Sequence, residues 1–208
     1  MGIILFLING YSQTNDLVYC NHRFFVSQPI PEKVQARMAG KSLPANASVH
    51  VEDLRYLTLY HYDFDGNIQK GEMVCNKAIA HDLLVIFSKL FKIAYPINSI
   101  RLVDDFDAND EASMEANNTS CFNYRTVSGT NKLSRHAFGM AVDINPLQNP
   151  WVVGKRVYPS TAGEYADRSK AFPHKIDNKD ACYRAFMAKG FTWGGNWKSS
   201  KDYQHFQK

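Results

Sequence analysis

The chain has 208 residues, of which 45% are hydrophobic and 21% are charged, and this composition is typical of a soluble globular protein. The length suits one domain with a sizeable core. The formal net charge is only +4 and no dense cluster of Lys and Arg occurs, so nucleic acid is excluded as a leading partner. The mild basicity fits a weak attraction to an anionic polymer such as a cell wall, or it serves solubility alone.

The N-terminal segment contains an apolar run, Ile3 to Ile8, that is far too short for a stable membrane span. The run resembles the end of a secretory signal, although the basic residues that normally precede such a run are missing. A buried N-terminal strand is the alternative. We therefore divide the chain into a candidate signal remnant at 1–13, an extension at 14–50 with a short predicted helix over 31–38, and a main domain at 51–208.

A hairpin and a long helix are the clearest predicted elements of the main domain. Alternation over Leu54 to Phe64 predicts a strand, the Asp-Gly-Asn sequence at 65–67 predicts a turn, and Ile68 to Val74 predicts the returning strand. Asn76 is a candidate cap for a helix that runs to about Lys92. The apolar residues of this helix recur at steps of three and four, which predicts one buried face.

Weaker signals follow the long helix. Ser99 to Val103 predicts a strand, and the acidic stretch 104–120 has no regular period, which is typical of a loop at the rim of a cleft. Phe122 to Val127 predicts a further strand, and this strand carries Arg125. A long loop is predicted between Asn145 and about Pro173, because two Asn-Pro pairs interrupt any regular element there.

The C-terminal part combines a helix with a glycine- and tryptophan-rich segment. The helix is predicted over about Lys179 to Lys189, with Asp177 or Asn178 as its cap. Residues 191–197 follow it. Their glycines allow a close approach of the backbone, and their tryptophans either wall a cleft or close the core.

The cysteines leave the redox environment open. Their even number agrees with disulfides in an oxidising compartment, and buried free thiols are the alternative. No Cys-x-x-Cys pair occurs, so a structural zinc knuckle is not expected. The sequence does not choose among the pairings of Cys20, Cys75, Cys121 and Cys182.

One short stretch offers an imidazole and a carboxylate, His136 and Asp143, among small and apolar residues. On one helix the two would lie about 10 Å apart at roughly 1.5 Å of rise per residue. On one flat strand their odd separation would put them on opposite faces. Neither geometry would let His136 and Asp143 bind the same zinc ion, because zinc bonds are only about 2 Å long. We therefore expect a bend at Gly139 and a short strand over 141–144.

A second carboxylate and imidazole, Asp202 and His205, lie three residues apart near the C-terminus, so a helical turn or a tight loop would present them together. Two histidines and one carboxylate with an open fourth position form the ligand set of a catalytic zinc site. Asp202 would then be free to act as a general base. The alternative for His136 and Asp143 is an ordinary buried hydrogen-bonded pair, and the second pair favours the metal site.

These motifs resemble the zinc D-alanyl-D-alanine carboxypeptidase family, and in particular its VanY-like subgroup, which includes L-alanyl-D-glutamate endopeptidases. The resemblance runs from about Leu57 to Phe206. Its specific part is the combination of Ser134-x-His136-x-x-Gly139-x-Ala141-x-Asp143, Trp193-Gly194-Gly195 and Asp202-x-x-His205-Phe206.

The resemblance implies a role for each matched position. The zinc ligands would be His136, Asp143 and His205, and Asp202 would be the catalytic acid and base. Arg125 matches an arginine that contacts substrate, where it could pair with a carboxylate or support an oxyanion. A structural ion pair is the alternative for Arg125. The full set of expected substrate contacts is Arg125, Ser134, Trp193 and Trp197.

The combined expectation is a single α+β domain with a small antiparallel sheet, flanking helices and, by resemblance, the Hedgehog/DD-peptidase fold. The expected function is zinc-dependent hydrolysis of peptidoglycan stem peptides, at either the D-Ala-D-Ala or the L-Ala-D-Glu bond. A non-catalytic, zinc-containing module that binds the cell wall is the alternative. We expect a bacterial, extracytoplasmic monomer, periplasmic or secreted.

Overall fold

A computed structural model describes residues 24–208, so the candidate signal remnant at 1–13 and Cys20 lie outside the described residues. The described part mixes helices with small, mainly antiparallel sheets, which confirms the α+β expectation. The α-helices are α1 (Glu32–Met38), α2 (Lys77–Lys92), α3 (Asp110–Glu115) and α4 (Ala181–Met187). The strands are β1 (Val26–Gln28), β2 (Leu54–Tyr62), β3 (Ile68–Asn76), β4 (Ser99–Ile100), β5 (Asn118–Thr119), β6 (Ala141–Asp143), β7 (Trp151–Val153), β8 (Arg156–Tyr158), β9 (Thr192–Trp193), β10 (Lys201–Asp202) and β11 (His205–Gln207).

The predicted hairpin is confirmed. Strands β2 and β3 pair antiparallel along their whole length, and the Asp63 carboxylate closes the turn by accepting hydrogen bonds from the backbone of Asp65 and Asn67. Strand β1 pairs with the outer edge of β2, so part of the N-terminal extension completes this sheet. No helix within residues 24–208 is long and apolar enough to cross a membrane.

Helix α2 packs on this sheet and begins and ends where the sequence predicts. The Asn76 side chain accepts a hydrogen bond from the backbone of Ala78, which caps the helix. Helix α4 lies against α2, with an edge-to-face contact between Phe87 and Phe186. Its cap is Asp180 rather than Asp177 or Asn178, because Asp177 instead accepts from the backbone of Lys179 in a preceding turn.

Two segments between the helices differ from the prediction. The stretch 104–120 is not irregular, because it contains α3, capped by the Asn109 side chain, and β5, which pairs parallel with β4. Residues 122–127 do not form a strand. The backbone N–H groups of Phe122, Asn123 and Tyr124 donate to three separate segments of the chain, so no continuous ladder can form.

The long loop predicted after Asn145 also contains regular structure. Strands β7 and β8 form a hairpin in it, and β10 pairs with the other edge of β7. A neighbouring sheet has the order β6-β11-β9, with β11 in the middle. The cysteines of the described chain, Cys75, Cys121 and Cys182, are buried free thiols in the core.

Candidate metal site and cleft

The bend predicted between His136 and Asp143 is present. A 3-10 turn over 135–138 holds His136, and the Ser134 hydroxyl caps it by accepting from the backbone of His136. Gly139 ends the turn with φ of 65°, a left-handed conformation, and β6 then carries Asp143. A Cβ at Gly139 would lie 2.6 Å from the backbone nitrogen of Asn76, so glycine also permits contact with the start of α2.

The three candidate ligands form one buried cluster. His136 Nε2 lies 3.1 Å from an Asp143 oxygen and 3.1 Å from His205 Nδ1, and His205 Nδ1 lies 3.0 Å from the other Asp143 oxygen. Tetrahedral zinc with bonds of about 2 Å separates its ligand atoms by roughly 3.3 Å. The three ligand atoms all lie within 4.8 Å of one another, so the cluster could hold a zinc ion after a small adjustment of the side chains. It is the one group in residues 24–208 with this geometry.

Carbonyl oxygens outside the cluster orient both imidazole rings. His136 Nδ1 lies 2.6 Å from the backbone oxygen of Cys121, and His205 Nε2 lies 3.0 Å from Oε1 of Gln207. A carbonyl oxygen only accepts, so each outer nitrogen donates its proton outward, and each inner nitrogen faces the cluster, where it can ligate a metal once it carries no proton. Sequence reasoning missed Gln207, although its position two residues after His205 in a strand puts both side chains on one face.

The electrostatics of the cluster favour a bound cation. Burial alone would raise the pKa of the Asp143 carboxyl, but the two histidines outweigh burial and hold that pKa well below its usual range. Burial lowers the pKa of His205, yet its hydrogen bond to Asp143 and the nearby carboxylates outweigh burial and raise that pKa to about 9. A cluster that holds a proton this strongly has a net affinity for positive charge.

Asp202 lies beside the cluster without belonging to it. Its Oδ1 atom is buried and has no hydrogen-bond partner among the described residues. Burial, assisted by the charge of Asp143, raises the pKa of Asp202 to about 7. Such a carboxyl can both take and return a proton near neutral pH. A Cβ at Gly194 would lie 2.6 Å from the carbonyl oxygen of Asp202, so the glycine of the Trp-Gly-Gly motif permits this packing.

A cavity of about 360 Å³ joins the cluster to the remaining candidate residues. Asp202, Arg125, Ser134 and Trp197 all line it, so the structure brings these predicted site residues together. The Trp197 ring also lies against the His205 ring, with centroids 5.3 Å apart.

Trp193 requires a correction, because it does not line this cavity. It is only 6% exposed and packs against Phe206 in the core. Its indole N–H donates to the backbone oxygen of Tyr203 at 2.9 Å. Trp193 therefore supports the turn between Asp202 and His205 and does not wall the cleft.

Arg125 forms an ion pair and also lines the cavity. Its guanidinium forms an ion pair with Asp110 at 2.7 Å, and both residues line the cavity. Its Nε atom is buried and has no hydrogen-bond partner in the described chain. The ion pair holds the guanidinium in place, and Nε–H has no partner within the described chain.

Several cavity residues carried no signal in the sequence. Trp151 and Tyr158 come from the β7–β8 hairpin, which we predicted as loop, and Asp110 and Glu111 come from α3. Gln204 lies between Asp202 and His205 and also lines the cavity.

Comparison with known families agrees with this geometry. A family model described as D-alanyl-D-alanine carboxypeptidase matches residues 128–208. The matched segment contains His136, Asp143, Asp202 and His205. Residues 128–208 thus match the D-alanyl-D-alanine carboxypeptidase family. The match confirms the resemblance seen in the motifs and supports a metallopeptidase. No curated protein and no solved structure matches the chain.

The carboxypeptidase match covers only some of the residues that line the cavity. The ligand cluster and Asp202 lie inside the matched segment, whereas Asp110 and Arg125 lie before it. The cavity is therefore completed by residues that the family match does not cover.

Proposed function

We propose that this protein is a zinc-dependent peptidase that hydrolyses a bond in peptidoglycan stem peptides, within a Hedgehog/DD-peptidase fold. One observation carries the proposal. An oriented cluster of two histidines and one aspartate shares a cavity with Asp202, whose Oδ1 atom is buried and unpaired, and both lie in the segment that matches the carboxypeptidase family. Two histidines and one carboxylate, as in His136, His205 and Asp143, form a ligand set that occurs in catalytic zinc sites.

The chemistry divides between the metal and Asp202. When bound, zinc supplies Lewis acidity, which polarises a carbonyl and makes water acidic near neutral pH. Asp202 accepts a proton from the water that attacks the scissile carbonyl carbon. The same carboxyl then donates that proton to the leaving nitrogen as the C–N bond breaks. The products are a carboxylic acid and an amine, the acid passes its remaining proton to the amine, and Asp202 ends in its starting state.

Arg125 would stabilise negative charge in this reaction. Its Nε–H group can donate to the developing oxyanion or to a substrate carboxylate, and Asp110 prevents the guanidinium from swinging away.

Two stem-peptide bonds remain candidates, D-Ala-D-Ala and L-Ala-D-Glu. We favour carboxypeptidase or endopeptidase action over cleavage of a free dipeptide, because many residues outside the metal cluster, from several separate segments of the chain, line the cavity. A peptidoglycan substrate implies that the protein acts outside the cytoplasm of a bacterium, in the periplasm or after secretion. We propose that it acts as a monomer.

The test is direct digestion of defined substrates. The zinc-loaded protein is incubated with a pentapeptide stem, an L-Ala-D-Glu-containing stem and free D-Ala-D-Ala, and the products are identified by mass spectrometry. The matched control is Asp202→Asn, which keeps the side-chain shape and removes the proton acceptor. Cleavage of a stem by the wild type alone supports the proposal. Failure to cleave any substrate, together with retained binding to peptidoglycan, would favour the non-catalytic binding module.

A further inference from the structure

Three side chains, beginning with Asp202, lie side by side across the sheet formed by β10, β7 and β8. Asp202 in β10 is directly opposite Trp151 in β7, and Trp151 is directly opposite Tyr158 in β8. Directly opposite residues in antiparallel strands point to the same face, with Cβ atoms about 5 Å apart. All three residues line the cavity. Trp151 is therefore the neighbour of Asp202 on the cavity side of the sheet.

The Trp151 indole has an unpaired donor. Five buried side-chain polar atoms within residues 24–208 have no hydrogen-bond partner, and Trp151 Nε1 is one of them. Buried polar groups in native proteins are nearly always paired, so an unpaired group requires an explanation. Four of the five atoms belong to residues that line this cavity: Arg125, Trp151, Asp202 and Gln204. This clustering indicates that their partner is a ligand of the cavity.

The indole is held in a defined orientation. Trp151 and Tyr158 stack with ring centroids 5.0 Å apart and an interplanar angle of 29°. Trp193 provides a contrast within the same chain, because its indole N–H is paired with the backbone oxygen of Tyr203. Both tryptophans carry an indole N–H group. The Trp193 group is hydrogen-bonded within the protein, whereas the Trp151 group is not.

The proposed reaction decides which part of the substrate meets Trp151. Asp202 must come within hydrogen-bond distance of the leaving nitrogen to protonate it. The residue that departs with this nitrogen therefore lies on the Asp202 side of the metal cluster, where Trp151 is the next side chain in the row. Both candidate bonds release a residue with a free carboxylate on the carbon attached to that nitrogen.

We infer that Trp151 forms the subsite for this leaving residue, and that its Nε1–H group donates a hydrogen bond to the leaving residue's α-carboxylate. Tyr158 stacks on the indole ring and so fixes its plane. The inference rests on the proposed peptidase function and adds a specificity-determining residue to it. The subsite selects substrates in which a carboxylate lies next to the leaving nitrogen.

The test combines a protein change with a substrate change. Trp151→Phe keeps an aromatic ring and removes the N–H donor. The parent substrate is whichever stem peptide the wild type cleaves, and the partner substrate is a des-carboxy analogue in which hydrogen replaces the α-carboxylate of the leaving residue. For the parent, we expect kcat/KM to fall about 10- to 100-fold in Trp151→Phe, the range for losing a hydrogen bond to a charged group. For the analogue, we expect Trp151→Phe to change kcat/KM by less than about twofold. The analogue already lacks the carboxylate that would accept the hydrogen bond, so removing the indole donor has little further effect.

Trp193→Phe is the matched control, since it removes an indole N–H that the protein itself uses. Any effect of Trp193→Phe on kcat/KM should be equal for the two substrates. Thermal unfolding of both variants separates loss of fold from loss of binding. Calorimetric binding of the two peptides to Asp202→Asn, with and without Trp151→Phe, gives a readout independent of turnover.

The possible results separate failure of the Trp151 subsite from failure of the proposed peptidase function. A selective loss for the parent substrate in Trp151→Phe supports the subsite. Equal losses for both substrates, or no loss for either, overturn the subsite while the peptidase function stands. A wild-type protein that cleaves no stem peptide overturns both.

Discussion

Gln207 allows a quantitative test of the outer contacts of the metal cluster. Its Oε1 atom lies 3.0 Å from His205 Nε2, and His205 is only 6% exposed. Gln207→Met keeps the length of the side chain and removes the acceptor. The Nε2–H group is then unpaired, and the ring no longer has a fixed tautomer with its lone pair on Nδ1.

Loss of such an outer partner typically weakens metal binding by about 10- to 100-fold, which corresponds to roughly 1.4–2.7 kcal/mol. We expect this decrease for zinc in Gln207→Met, measured by competition with a chromophoric chelator at fixed pH. Gln207→Glu retains an acceptor and adds negative charge, so its zinc affinity should be equal to or above that of the wild type. Gln28→Met, on an exposed position of β1, is the matched control. An unchanged affinity in Gln207→Met would refute the orienting role of Gln207.

Three further predictions concern the same cavity. Asp202→Asn should keep the fold and bound zinc but lose about two to four decades of kcat, as single-turnover assays would show; wild-type turnover would contradict the role of Asp202. Arg125→Lys should retain the charge facing Asp110 yet lower kcat/KM, because an ammonium group does not replace a planar guanidinium; unchanged kinetics would assign Arg125 a structural role alone. In chelated, metal-free protein, the raised pKa of His205 stabilises the fold fully below about pH 6.5, and this stabilisation is lost as the pH rises through about 9. Thermal unfolding against pH should show this decline, and His205→Gln should reduce it.

Local sequence patterns determined several parts of the protein without tertiary information. The β2–β3 hairpin and α2 follow from alternation, helical periodicity and a capping Asn76, all of which act over a few residues. The bend at Gly139 followed from a geometric conflict between spacing and bond length. The motifs at 134–143 and 202–206, through their resemblance to the carboxypeptidase family, also indicated His136, Asp143 and His205 as the candidate zinc ligands.

Only the tertiary structure decided which side chains face the cavity. Trp193 lies within a recognisable motif yet packs in the core, whereas Trp151 has no motif and lies beside Asp202. The difference depends on the register between β7 and β10, which are about 50 residues apart in the chain. A one-residue change of register would turn Trp151 to the other face of the sheet, and no local pattern encodes that register. Gln207 is different, because it lies two residues from His205 within β11, and that local spacing alone places both side chains on one face.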